Sequence, residues 1–127
     1  MRILIVALLL SGCAAAELGM PSREQADLSR ELAGRVAGRA ESCVSAGSSQ
    51  SLQIVDASTL VYRSGDTIWL NRLRAACPGL RPFDTLIIEV RGSQYCKGDQ
   101  VRSLLPGTTI PGPVCPLGDF TPYRLPR

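Results

Sequence analysis

Five cysteines and no histidine set the tightest limits on what this 127-residue chain can build. The cysteines are Cys13, Cys43, Cys77, Cys96 and Cys115. No two of the last four have the close spacing of a zinc knuckle, and imidazole ligands are absent, so no metal is expected. The lack of histidine also removes Ser-His-Asp and Cys-His catalysis and any side chain whose ordinary pKa lies near neutrality. Glycine-rich phosphate loops are missing, and no cofactor is expected. For Cys43, Cys77, Cys96 and Cys115 the reading is two disulfides, if the chain reaches an oxidising compartment.

The N-terminus speaks to that condition. Arg2 precedes Ile3 to Leu10, an unbroken apolar run far shorter than the roughly 20 residues that span a bilayer, which is the pattern of a secretory leader. Leu10-Ser11-Gly12-Cys13 resembles the bacterial lipobox. The resemblance implies that residues 1–12 are a lipoprotein signal peptide, that Cys13 is acylated and becomes the mature N-terminus, and that Ala14 permits sorting to an outer membrane, facing the periplasm. Each buried methylene of such an anchor contributes about 0.8 kcal/mol. Ordinary cleavage after Ala14-Ala15-Ala16 is the alternative, and it leaves the same four cysteines in an exported chain. With cleavage at Cys13, residues 13–21 form a lipidated tether, of which Ala14 to Pro21 reaches at most about 28 Å when extended, ahead of a single domain over 22–127.

Four cysteines allow three connectivities. A nested arrangement is expected, Cys77 with Cys96 and Cys43 with Cys115, the inner pair bracketing one strand and the outer tying the domain's start to its end. Each bridge would stabilise by about 3 to 5 kcal/mol through loop entropy.

The first element of that domain is an amphipathic helix over 22–38. Ser22 and Gln25 have capping-box spacing, and Leu28, Leu32 and Val36 recur every fourth residue while Glu31 and Arg35 form an i,i+4 pair. Gly34 and Gly38 make a GxxxG in charged surroundings, read as close packing or fraying and not as a dimer seam. From Cys43 the period shortens to two. Runs at 52–55, 59–63, 67–71, 85–90 and 100–104, with a further one near 118–121, read as strands. Ser64-Gly65-Asp66 is read as a three-residue hairpin loop that places Leu60 and Tyr62 on one face with Ile68 and Leu70. Leu86-Ile87-Ile88 has no alternation and reads as buried on both faces. Pro106 to Pro116 reads as an irregular loop. The expected fold is mainly β (α+β): the helix, then a small, antiparallel, partly open barrel of five to seven strands over 43–121, with two disulfides.

Glu41-Ser42-Cys43-Val44, Ile54-Val55-Asp56, Cys77-Pro78-Gly79-Leu80, Tyr95-Cys96-Lys97-Gly98-Asp99 and Cys115-Pro116-Leu117-Gly118-Asp119-Phe120, in that order, resemble a family of small exported bacterial proteins known only as a domain of unknown function. That resemblance implies an envelope address and paired cysteines, and it carries no activity.

Thirteen arginines and one lysine face 11 acids, interleaved along the chain, so no nucleic-acid footprint is present. Tyr62, Trp69 and Tyr95 are the candidate aromatic platform for a partner. The expected function is a non-enzymatic envelope lipoprotein that meets the membrane through its lipid anchor and binds a protein or peptidoglycan partner. The alternative is a hydrolase or transferase acting on envelope polysaccharide through carboxylates such as Glu89 and Asp99.

Overall fold

The computed structural model describes residues 20–47 and 50–127; Cys13, the leader and most of the tether lie outside the described residues. Among the described residues, one helix and ten short strands follow in chain order: α1 (Arg23–Leu32), β1 (Val36–Ala37), β2 (Cys43–Ser45), β3 (Gln53–Asp56), β4 (Thr59–Ser64), β5 (Thr67–Arg72), β6 (Thr85–Glu89), β7 (Gln94–Cys96), β8 (Gln100–Leu104), β9 (Cys115–Pro116) and β10 (Phe120–Arg124). Every ladder is antiparallel. The strands divide among a five-stranded sheet in the order β1-β10-β5-β4-β3, a β2-β7 pair and a three-stranded sheet in the order β6-β8-β9. The expectation of one partly open barrel is thereby corrected, since the ten strands form three separate sheets and none of them closes on itself.

Ser22 opens α1 with the expected capping box. Its hydroxyl accepts from the Gln25 N–H at 3.2 Å, and the Ser22 N–H donates to Gln25 Oε1 at 2.8 Å. Gln25 also donates through Nε2 to Asp56 at 2.9 Å, which fastens the helix to the end of β3. The helix stops at Leu32, not near residue 38. Ala33 turns to extended backbone (ψ 131°) and Gly34 enters the left-handed region (φ 76°), where a residue with a Cβ is strained. Val36 therefore does not extend the apolar stripe but pairs in β1 with Arg124. Arg35, now outside the helix, donates to the backbone carbonyls of Glu31 and Asp66, and the expected Glu31–Arg35 ion pair is replaced by one with Arg63.

The β4–β5 hairpin corrects a second expectation. Ser64 pairs with Thr67, so only Gly65 and Asp66 form the loop, and Leu60 lies opposite Asn71 with Tyr62 opposite Trp69. Gly65 takes φ 56° at the first central position, where a two-residue hairpin turn of type II′ calls for glycine. A three-residue loop would follow if the sheet had a single apolar face. Both faces of the large sheet are buried: Val55, Val61, Ile68 and Leu70 pack under Leu28 and Leu32 of α1, whereas Leu60, Tyr62 and Trp69 pack with Val44, Val101, Leu117 and Phe120 beneath the smaller sheets. In this register Asn71 enters the core, fully buried, and both ends of its amide bond the Gly118 backbone, donating to the carbonyl at 2.8 Å and accepting from the N–H at 2.9 Å. A buried amide is tolerated when its polar atoms are met in this way.

The smaller sheets carry the bridges, Cys43–Cys96 and Cys77–Cys115. The nested pairing, Cys77–Cys96 with Cys43–Cys115, is corrected to an interlocked one. Cys43 and Cys96 are direct cross-strand partners in the β2–β7 ribbon. Cys77 is buried after β5 and reaches Cys115 on β9, tying the large sheet's following loop to the third sheet. β6 is a strand at the edge of that sheet, paired only with β8. Leu86 and Ile88 turn inward and Ile87 is exposed, so the expectation of burial on both faces fails for this segment. Pro106 to Val114 is irregular but for a bridge between Leu104 and Pro111. No helix among the described residues is long and apolar enough to cross a membrane.

Candidate functional site

The aromatic side chains singled out above are brought together, but inside. Tyr62 is 1% exposed and Trp69 9%. Tyr95 is half-buried and meets Tyr62 edge-on, with ring centroids 5.4 Å apart. The Tyr62 hydroxyl donates to the Ser45 carbonyl at 2.9 Å and accepts from the Gly47 N–H at 2.7 Å. Burial raises the Tyr95 phenol's pKa, and the neighbouring Tyr62 adds to the shift. These residues anchor the core instead of forming an exposed platform. The carboxylates considered for polysaccharide chemistry have structural roles. Asp99 accepts from the Cys96 N–H at 2.8 Å and closes the turn after β7, and Glu89 pairs with Arg102 at 3.3 Å on an exposed strand face.

A different site stands out. Between α1, the edge strand β3 and the edge strand β6 runs a groove of about 900 Å³, within the size range of ligand sites. Its floor is apolar, made by Leu28, Leu52, Ile54, Val61, Leu86 and Ile88. Its rim carries Glu24, Asp27 and Glu31 from α1 and Asp84 from the loop before β6, against Arg23 and Arg63. Helical spacing explains the first three: with Leu28 turned to the sheet, positions 24, 27 and 31 fall on the helix flank beside it. Glu31 is held by a two-pronged pair with Arg63, at 2.7 and 2.8 Å. This hydrogen bond lowers the carboxyl's pKa, with partial burial working the other way. Asp27 bonds Arg30. Among the described residues, Glu24 has no ion pair and Asp84 has none.

The loop Pro82-Phe83-Asp84 is unusual in two respects. Phe83 has φ 72°, the one non-glycine residue in the left-handed region among the described residues, and it stands 87% exposed. A bulky residue there costs about 1 to 3 kcal/mol of local strain. Beside it, Asp84 Oδ2 is the single buried side-chain polar atom without a hydrogen-bond partner among the described residues. Such an atom carries a desolvation cost that a donor from outside could relieve. Strain, an exposed aromatic ring and an unmet acceptor therefore coincide at one lip of the groove.

None of Glu24, Phe83 and Asp84 is marked as a site by the sequence. Glu24 reads as a dipole-favoured first-turn acid, and Phe83-Asp84 follows a proline in what reads as a connector. The one available signal was an aromatic residue in a polar turn, and its backbone angle is invisible in sequence. Groups of three or more metal-ligating side chains are absent among the described residues.

Comparison with protein-family models, with curated proteins and with solved structures finds no match to this chain.

Proposed function

We propose that this chain is an exported lipoprotein whose folded domain is a non-enzymatic binding module, held at the envelope membrane through Cys13 and receiving a protein partner in the groove between α1, β3 and β6. The observation that carries the reading is the lip of that groove, where strained, exposed Phe83 adjoins the unmet Asp84 oxygen above an apolar floor. Strain of this kind persists where surrounding structure enforces it, and it clusters at binding sites. Two disulfides fit an oxidising, exported location. The structural duties of Asp99 and Glu89 favour binding over polysaccharide cleavage. Outer-membrane sorting, facing the periplasm, belongs to the same proposal and rests on Ala14 after Cys13.

The test is site-specific photocrosslinking in intact envelopes. A photoreactive residue at Ser51 or Thr85, both lining the groove, is expected to give one discrete adduct. The same probe at Gln94 or Thr108, exposed positions away from it, is expected to give none. Equal adduct patterns from all four positions would refute the groove as the binding face.

A further inference from the structure

The groove is also a seam between two open sheet edges. β3 borders it with a neighbour, β4, on one side only, and β6 borders it with a neighbour, β8, on one side only. Among the described residues, no backbone or side-chain hydrogen bond from outside its own sheet reaches β6 between Leu86 and Glu89; the Glu89 carboxylate bonds Arg102 of the neighbouring β8, within the sheet. Edge strands are usually blunted by proline, lysine or a bulge. β3 has such an irregularity between Ile54 and Asp56. β6, Thr-Leu-Ile-Ile-Glu, has none of these, and its ladder to β8 runs in register along its full length. An unblunted edge bordering an apolar trough is the arrangement that accepts an added strand, the backbone supplying affinity and alternate side chains entering pockets.

The charge on the rim selects the strand. Four acids, Glu24, Asp27, Glu31 and Asp84, stand against two arginines. Glu24 lacks an ion pair, and Asp84 keeps a buried oxygen with no donor. The chain's own segment 14–21 has Glu17 as its one charged side chain, so it lacks the cations this rim calls for. We infer that the groove takes an extended, cationic peptide segment, apolar residues alternating with lysine or arginine, which adds to the free edge of β6 and brings a cation to Asp84 and Glu24. The inference rests on the reading of the groove as the docking site and names the chemistry and backbone geometry of its occupant.

The experiment titrates ¹⁵N-labelled full chain, both disulfides intact and in detergent micelles, with three synthetic peptides. They are acetyl-Lys-Val-Lys-Val-Lys-Val-amide, its glutamate counterpart, and the lysine peptide N-methylated at alternate residues. The lysine peptide is expected to move the amides of Thr85 to Glu89 saturably, while the other two bind at least tenfold more weakly. Asp84→Asn is expected to weaken it about tenfold, and Glu24→Gln, on the helix flank, severalfold without touching the strained loop. Binding of the glutamate or methylated peptide as tight as that of the lysine peptide overturns the inference. So does an absence of shifts at millimolar peptide, or a chain that is already dimeric through these amides. Crosslinking from Ser51 and Thr85 in envelopes reports on the groove itself, so a discrete adduct there with a negative titration would reject the cationic strand and leave the docking site standing.

Discussion

Replacing Asn71 is expected to be the most damaging single change in the core. Its side chain lies on the face shared with Leu60 and Tyr62, fully buried, and it satisfies both backbone groups of buried Gly118. Asn71→Ala strands the Gly118 N–H and carbonyl away from water. At about 1 to 3 kcal/mol for each orphaned group, the loss comes to about 2 to 6 kcal/mol before any cavity cost. Against a total stability of about 5 to 15 kcal/mol, that is enough to leave a substantial fraction unfolded in a marginal domain. Asn71→Leu preserves volume, so comparing the two separates hydrogen bonding from packing; both are expected to lose at least about 2 kcal/mol. Urea unfolding with the disulfides intact, followed by circular dichroism, gives both values from the shift in midpoint at unchanged slope. A loss below about 1 kcal/mol in both variants would refute the burial of Asn71 against Gly118, which the β5–β10 pairing of Asn71 with Phe120 sets up.

Digestion of the unreduced protein is expected to yield peptides joined as Cys43–Cys96 and Cys77–Cys115, and recovery of Cys77–Cys96 would overturn the sheet assignment. The bridges close loops of 53 and 38 residues, so losing either is expected to cost about 4 kcal/mol by chain entropy, read as a lower denaturation midpoint in Cys43→Ala/Cys96→Ala and Cys77→Ala/Cys115→Ala. Acid is expected to weaken the fold through Glu31 and Asp56. The hydrogen bond from Arg63 lowers the first despite partial burial; at Asp56 burial pushes upward but is outweighed by hydrogen bonds from Gln25, Ser58 and Thr59. Carboxylates with lowered folded pKa values contribute stability that is present above the unfolded value and lost as pH falls through the folded one. Because the Glu31–Arg63 pair is partly exposed, its share is about 1 kcal/mol or less, and Glu31→Gln is expected to shrink the stability difference between neutral and acid pH by that amount; an enlarged difference would contradict the pairing. Metabolic labelling with a palmitate analogue is expected to mark the wild-type chain and not Cys13→Ala, and equal labelling of the two would reject the anchor.

Much of the fold was legible in the sequence where an element is long enough to show a period. The runs at 52–55, 59–63, 67–71, 85–90 and 100–104 became β3, β4, β5, β6 and β8 within a residue or so, and the Ser22–Gln25 box fixed the start of α1. The two- and three-residue strands β1, β2, β7 and β9 were invisible, since no periodicity exists over so short a span. Without β2 and β7 the sequence does not show that Cys43 lies opposite Cys96, and the nested pairing, built on a strand bracketed by Cys77 and Cys96, misses it. The hairpin register departs from expectation for a related reason: a three-residue loop sets Leu60 and Tyr62 on one face with Ile68 and Leu70, whereas a specific pair of hydrogen bonds to a glycine 47 positions away admits Asn71 to the core opposite Leu60. Closeness explains that glycine's identity, as a Cβ on Gly118 would lie 2.2 Å from the Arg72 carbonyl oxygen. The groove was beyond sequence reasoning because it is a property of two sheet edges meeting a helix flank, and its lip depends on one backbone angle at Phe83.

Carbene footprinting of the chain in intact envelopes, set against the same chain purified in detergent, tests the docking groove most directly. The account predicts that 51–55, 82–88 and the Glu24–Glu31 flank of α1 label less in the envelope, while Gln94 and Thr108 label equally in both. Identical labelling of the groove in the two settings, or protection confined to the surface around Gln94 and Thr108, would contradict it.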